Sequence, residues 1–237
     1  VQDAAYVSYV PPGFTGKEQL PMLIFLHGSS GVGTNLKQVE ADVIPLLIQD
    51  GHIFNAVVLC PQSPVHWTGE QAAAFIDHAM AEFGSQCDVN RIYLTGYAAG
   101  GAGVWEGAKL RADLLAAAVP ISPTLGSPEG AQALVNLPLW AFHEATDPNH
   151  AVRKSRTPVE AVRSAGGQYV FYTEFEGPLG QNPGIEGKAG RMDAWTVVYS
   201  NPAMWEWLWR QRRGQPELAR NPAPDTEKLM HFGVAIH

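Results

Sequence analysis

The sequence predicts an α/β fold, with a mostly parallel central sheet and helices on both faces. Two observations lead there. Short strand-like apolar runs alternate along the chain with longer stretches of helical period. The cores of the short runs are near-continuously hydrophobic, as strands buried on both faces require. The expected strands cover 5–10 (AYVSYV), 21–26 (PMLIFL), 56–60 (AVVLC), 91–95 (RIYLT), 116–121 (AAAVPI), 137–142 (LPLWAF) and 168–175 (QYVFYTEF). The expected helices cover 36–49, 69–83, 100–109, 151–164 and 194–212, each with apolar residues recurring at helical spacing. Residues 214–237 are richer in Pro and charge and have no clear period, so they are expected to pack on the surface as an extension of a domain spanning 1–213.

Composition supports one sizeable core. The chain has 237 residues, 46% of them apolar and only 16% charged, with 7 Trp, 9 Phe and 7 Tyr. That is far from the composition of a disordered chain. At roughly 150 residues per domain the length allows one to two domains, and single α/β folds commonly fill it alone. The 16 basic residues against 23 acidic ones leave a formal charge of −7, the wrong sign for a protein that must neutralise phosphates, so no nucleic-acid partner is expected. No apolar run approaches the roughly 20 residues that span a bilayer, and the first residues carry no basic leader region. A soluble protein is expected, in the cytoplasm or exported after loss of a leader, with no membrane partner. Cys60 closes one expected strand at its carboxyl end and Cys87 precedes the amino end of the next, beyond the roughly 7 Å that a disulfide spans. Two free thiols are expected, with no cofactor and no metal.

The chemistry concentrates at one junction. The strand at 91–95 runs into Gly96-Tyr97-Ala98-Ala99-Gly100-Gly101 and then into a helix. Small residues at 96, 100 and 101 are what a sharp turn needs if one side chain is to be thrust up at the carboxyl edge of the sheet. Here the chain resembles the α/β-hydrolase superfamily, in its small carboxylesterase, feruloyl-esterase-like or depolymerase-like branch, whose members read G-x-S-x-G-G at this turn. Three further segments extend the resemblance over about residues 5–212. PMLIFLHGSSGVGT at 21–34 is similar to the strand and His-Gly loop that supply oxyanion-hole N–H groups, which implies Ser29 and Ala99 as donors. LPLWAFHEATDP at 137–148 is similar to the strand and loop carrying the triad acid, which implies Asp147. GRMDAW at 190–195 is similar to the family's G-H-x-x-W segment, and counting back from Trp195 puts Met192 at the position of the catalytic His.

The resemblance therefore implies an ester-hydrolase scaffold with Ala98 in place of the nucleophilic serine and Met192 in place of the base, Asp147 being kept. A methyl group and a thioether can neither attack a carbonyl nor shuttle a proton. Loss of the Ser or His of such a triad costs about a million-fold in turnover. Ordinary serine-esterase activity is not expected, whether divergence or deliberate redesign replaced the two residues. Three functions remain open: a disabled or redesigned carboxylesterase, a non-catalytic protein holding a small ester or aromatic ligand, and an enzyme that uses Asp147 or a neighbour for different chemistry.

The pocket is expected to be lined by Gly28, Trp67, Tyr97, His150 and Trp195. Asp147 either has its pKa raised in a pocket made apolar by Ala98 and Met192, or is paired with Arg191, or is a carboxylate held by the N–H groups of its own loop. His150, three residues further on, either approaches the vacated base position or is a solvated loop residue. His27 and His143 end buried strands, where a hydrogen-bonded structural imidazole is the default. The Gly-rich run at 28–34 lacks both the spacing of a dinucleotide loop and the Lys of a P-loop. Trp205, Trp207 and Trp209 alternate along the last helix, so they are expected to pack on different faces rather than to form a platform.

Overall fold

The structure is a computed structural model that describes residues 4–177, 179, 193–219 and 234–236. Its centre is a sheet whose described strands are β1 (Tyr6–Tyr9), β2 (Leu20–Leu26), β3 (Val57–Pro61), β4 (Cys87–Tyr97), β5 (Ala117–Ile121), β6 (Leu139–Glu144), β7 (Val170–Phe175) and β8 (Val234–Ile236). They lie in the order β1-β3-β2-β4-β5-β6-β7-β8. The six inner strands are parallel, and β1 and β8 close the two edges antiparallel to β3 and β7. All seven expected strands are present. The eighth lies in the stretch whose sequence shows no period, and its three residues are too few to generate one.

The inner strands bury both faces. Met22, Ile24 and Leu26 of β2 join a cluster with Phe75, Ile76, Val104 and Trp105, while Leu23 and Phe25 join another with Trp140, Tyr199 and Trp207. The first face is covered by α3 (Gly69–Phe83), α4 (Ala99–Arg111) and α5 (Arg153–Ser164). The second is covered by α2 (Val43–Gln49), α6 (Ala194–Tyr199) and α7 (Pro202–Arg210), and the short α1 (Lys37–Glu40) precedes α2. Thr68 caps α3 in a reciprocal capping box with Gln71, satisfying two backbone N–H groups that the helix leaves open.

Two of the expected helices are each broken into a pair. The helix expected at 36–49 stops at Glu40 and restarts after Asp42, whose carboxylate accepts the Val43 N–H. The helix expected at 194–212 is interrupted at Ser200 and Asn201, and Asn201 caps α7 ahead of Pro202. In both, an N-capping side chain followed by a proline in the first turn overrides the continuing apolar period. A second correction concerns Cys87, which is the first residue of β4 and pairs beside Leu20, rather than preceding the strand. Cys60 and Cys87 are nonetheless both buried and free. In α7, Trp205 stacks on Trp209 at 5.6 Å while Trp207 turns to Trp140 at 5.4 Å, the mixed packing expected.

Neighbouring crossovers diverge at β2: the chain next enters β3 on one side and β4 on the other. A crevice forms outside the carboxyl ends of strands at such a point. The β4–α4 turn stands there, and Ala98 at its apex has φ 50° and ψ −115°, one of only two described non-glycine residues with positive φ. Its N–H donates to the Ile121 carbonyl (3.0 Å), and its own carbonyl accepts from Thr124 (3.0 Å) and Ala102 (3.1 Å). The turn can be this tight because α4 starts directly against β2: a Cβ on Gly100 would lie 1.9 Å from the Leu26 carbonyl oxygen. Such backbone strain costs about 1–3 kcal/mol at a residue with a Cβ. Ala98→Gly is therefore expected to leave the urea midpoint unchanged or raised, strain relief offsetting the roughly 1 kcal/mol of glycine entropy and the lost methyl burial. Ala102→Gly, in relaxed helix, is expected to cost about 1 kcal/mol; an equal loss in the two variants would show that residue 98 is not strained.

Candidate active site

Six of the sequence-predicted residues meet around the β4–α4 turn. Ala98 is at its apex, 5% exposed, and Ala99 is the first residue of α4, so the Ala99 N–H has no acceptor within the helix. Gly28 follows β2 by two residues, and a Cβ there would lie 2.4 Å from the Tyr97 ring, so the loop backbone rests directly on that aromatic face. Tyr97 also stacks on Trp195 (centroids 4.5 Å apart, planes 23°) and donates its hydroxyl hydrogen to Asp42 Oδ1 (2.8 Å). Burial, then the Asp42 charge, keeps this phenol protonated far above neutral pH. Ser29 opens a single 3-10 turn, Ser29–Gly31, and its side chain is exposed.

The loop bearing Gly28 and Ser29 is set from beneath by His27. The Ser63 N–H donates to His27 Nε2 (2.9 Å), so Nδ1 carries the hydrogen and donates to the Gly28 carbonyl (2.7 Å). Burial lowers the pKa of this imidazole, keeping it neutral. Trp67 is 6% exposed, gives its indole N–H to the His27 carbonyl (3.2 Å) and packs against Gly103 of α4. It supports the loop from inside, and only its margin is open to solvent.

Asp147 lies beyond β6, on the same carboxyl edge. Its Oδ1 accepts the N–H groups of Asn149 (2.8 Å) and His150 (2.9 Å). Its Oδ2 lies 3.4 Å from His150 Nδ1 and 3.7 Å from His143 Nε2. Burial raises the carboxyl pKa, but the His150 ring beside it and the bonds from the two backbone N–H groups outweigh it, and the pKa falls to about 2. Of the alternatives open from sequence, the raised pKa is thus overturned and the loop-held carboxylate is what the fold produces. His143 is structural: its Nε2–H donates to the His150 carbonyl (2.9 Å), leaving Nδ1 to accept from the Ser155 hydroxyl (2.8 Å). It is fully buried, and burial lowers its pKa. Met192 and Arg191 lie outside the described residues.

Two contributors escaped the sequence reading. Asp42, hidden inside an expected helix, is the acceptor that fixes Tyr97, and an Asp three residues ahead of Pro45 was the available signal. Ser155 fixes His143 from the first turn of α5, a contact no local pattern announces.

No protein-family model and no curated protein matches the chain. Solved structures do. The chain has the α/β-hydrolase fold. It is similar to a thermostable esterase, with 28% identity and a TM-score of 0.69 over 88% of this chain, and spans 59% of that protein's length. It is also similar in fold to a ferulic acid esterase (15% identity, TM-score 0.52, 73% of this chain and 84% of that one). A third is Thermogutta terrifontis esterase 2 phosphoramylated by tabun (17% identity, TM-score 0.55, 74% of this chain and 79% of that one). Among the described residues no helix is long and apolar enough to cross a membrane.

The Asp147 carboxyl is held below its ordinary value of 3.8, so its contribution to stability is full above about pH 4 and is lost as pH falls through about 2. Asp147→Asn should remove about 2 kcal/mol of pH-dependent stability over that window, read as a flatter plot of urea midpoint against pH. An unchanged plot would mean that the loop does not hold the carboxylate as described.

Proposed function

We propose that this chain carries the pocket of a carboxylic ester hydrolase whose acyl-enzyme route is closed by Ala98 and Met192. The observation that carries this reading is the strained turn at Ala98, which aims one side chain into the crevice beside an open helix N–H. Nothing in ordinary α/β packing requires a non-glycine residue in that conformation, whereas a nucleophile that must stand clear of the sheet does. The N–H groups of Ala99 and Ser29 are assigned to the substrate carbonyl oxygen, and Asp147 to the place of the acid that orients a base. The substrate class is a small ester, with the stacked Tyr97 and Trp195 rings offering an apolar wall to its acyl or aryl part. The similarity to esterases supports the same class.

The same aromatic wall next to a side chain without a nucleophile favours a second reading, a protein that holds a small ester or aromatic ligand without turning it over. Restoring the missing groups separates the two. Ala98→Ser with Met192→His is expected to hydrolyse a short-chain 4-nitrophenyl ester with a pre-steady-state burst, and at least about a thousand-fold faster than either single variant, because the two groups act as a unit. A double variant that binds the ester analogue and never turns it over would favour the binding protein.

A further inference from the structure

His150 is held by two backbone hydrogen bonds, and its ring lies beside the Asp147 carboxylate. Its N–H donates to Asp147 Oδ1 (2.9 Å), its carbonyl accepts from His143 Nε2 (2.9 Å), and its ring Nδ1 faces Asp147 Oδ2 (3.4 Å). His143 in turn is fixed by Ser155. A solvated loop histidine needs none of this. The ring's orientation is equally informative: Nδ1 is buried, yet the side chain keeps 15% of its exposure, so the open part of the ring is the edge away from the carboxylate. A carboxylate on Nδ1 favours the tautomer with hydrogen there, which leaves a lone pair on Nε2, the polarity of the acid and base in a Ser-His-Asp triad. Asp147 Oδ1 is already occupied by two N–H groups, so Oδ2 is the oxygen through which this carboxylate can orient an imidazole, and His150 stands against it.

The pair also lies in the right place. The β4 turn is linked to β5 through Ala98 N–H to the Ile121 carbonyl, and β5 to β6 through Ser122 N–H to the Phe142 carbonyl. Asp147 and His150 follow the carboxyl end of β6, and β6 lies two strands, about 10 Å across the sheet, from the β4 turn that bears Ala98.

We propose that Asp147 and His150 form a replacement acid–base dyad that hydrolyses activated esters with water as the nucleophile, without an acyl-enzyme. Because Ala98 carries no oxygen, the attacking atom comes from water. As the water oxygen bonds to the ester carbonyl carbon, His150 Nε2 takes a proton from it, and the charge passes to the carbonyl oxygen. When the tetrahedral intermediate collapses, the bond from carbon to the leaving oxygen breaks and the imidazolium returns its proton to that oxygen or to solvent. Carboxylic acid and alcohol are released, with no change of oxidation state. This inference rests on the ester-hydrolase reading of the pocket and adds the group that does the proton transfer.

Both hydrogen bonds that hold His150 use its backbone, so its side chain can be replaced with the loop kept. The test compares the full chain with His150→Gln, His150→Gly and His78→Gln on 4-nitrophenyl acetate. His78 pairs with Glu82 at 2.8 Å on α3, outside the crevice, and so controls for imidazole–carboxylate reactivity in general. The expected result is saturable, burst-free hydrolysis by the unaltered chain, reduced about 100-fold in His150→Gln and unchanged in His78→Gln, with added imidazole restoring His150→Gly. Equal rates in the chain and in His150→Gln, or no protein-dependent rate at all, would overturn the dyad. In either event the Ala98→Ser, Met192→His variant decides the reading beneath it: acylation there leaves the ester pocket standing without the dyad, and no acylation removes both.

Discussion

The structure depends on how closely α4 begins against β2. The Leu26 carbonyl lies where a Cβ on Gly96 or Gly100 would have to be, and the Ile121 carbonyl does the same at Gly101. With no room to splay, the chain turns from strand to helix within one residue, and Ala98 absorbs the turn with a backbone conformation that costs energy at any residue with a Cβ. That one constraint lifts residue 98 clear of the sheet, leaves the Ala99 N–H open, and pulls the loop after β5 in through Thr124. It also brings Tyr97 up beneath Gly28, so that the loop after β2 is shaped by the same turn.

Around the turn, polar groups set the geometry of two loops. His27 holds the loop of Gly28 and Ser29 between Ser63 and its own neighbour, and its neutral form is maintained by burial. His143 does comparable work below the Asp147 loop, joining Ser155 of α5 to the His150 carbonyl. Both imidazoles act as fixed two-ended connectors, one end donating and the other accepting. The structure thus holds one carboxylate and one backbone loop in fixed positions, the parts that in the proposed site would contribute without a nucleophile.

Much of this was legible in the sequence. Near-continuous apolar strands announce a parallel sheet, and the G-x-A-x-G-G turn, the His-Gly loop and Asp147 can be placed by motif, because each is a local pattern with a local cause. The breaks at Asp42 and Asn201 were hidden by apolar periods that run on through them, although an N-cap with a nearby proline marked both. The anchors of His150 could not have been read at all. They join residues 143, 147, 150 and 155 through bonds set by the bend of one loop and the first turn of α5, and a sequence shows such residues only as scattered polar letters. The pKa of Asp147 shows the same limit: a pocket made apolar by Ala98 and Met192 argues for a raised value, and the His150 side chain with the loop N–H groups lowers it to about 2.

In the proposed function the turn presents residue 98 to a carbonyl or phosphoryl centre held by backbone N–H groups. The most direct test is intact-mass and peptide mass spectrometry after a fluorophosphonate is offered to the Ala98→Ser, Met192→His variant and to the unaltered chain. One adduct per chain is expected in the variant, located at residue 98, and none at that position in the unaltered chain. A variant that folds and yet stays unlabelled at residue 98 would contradict it.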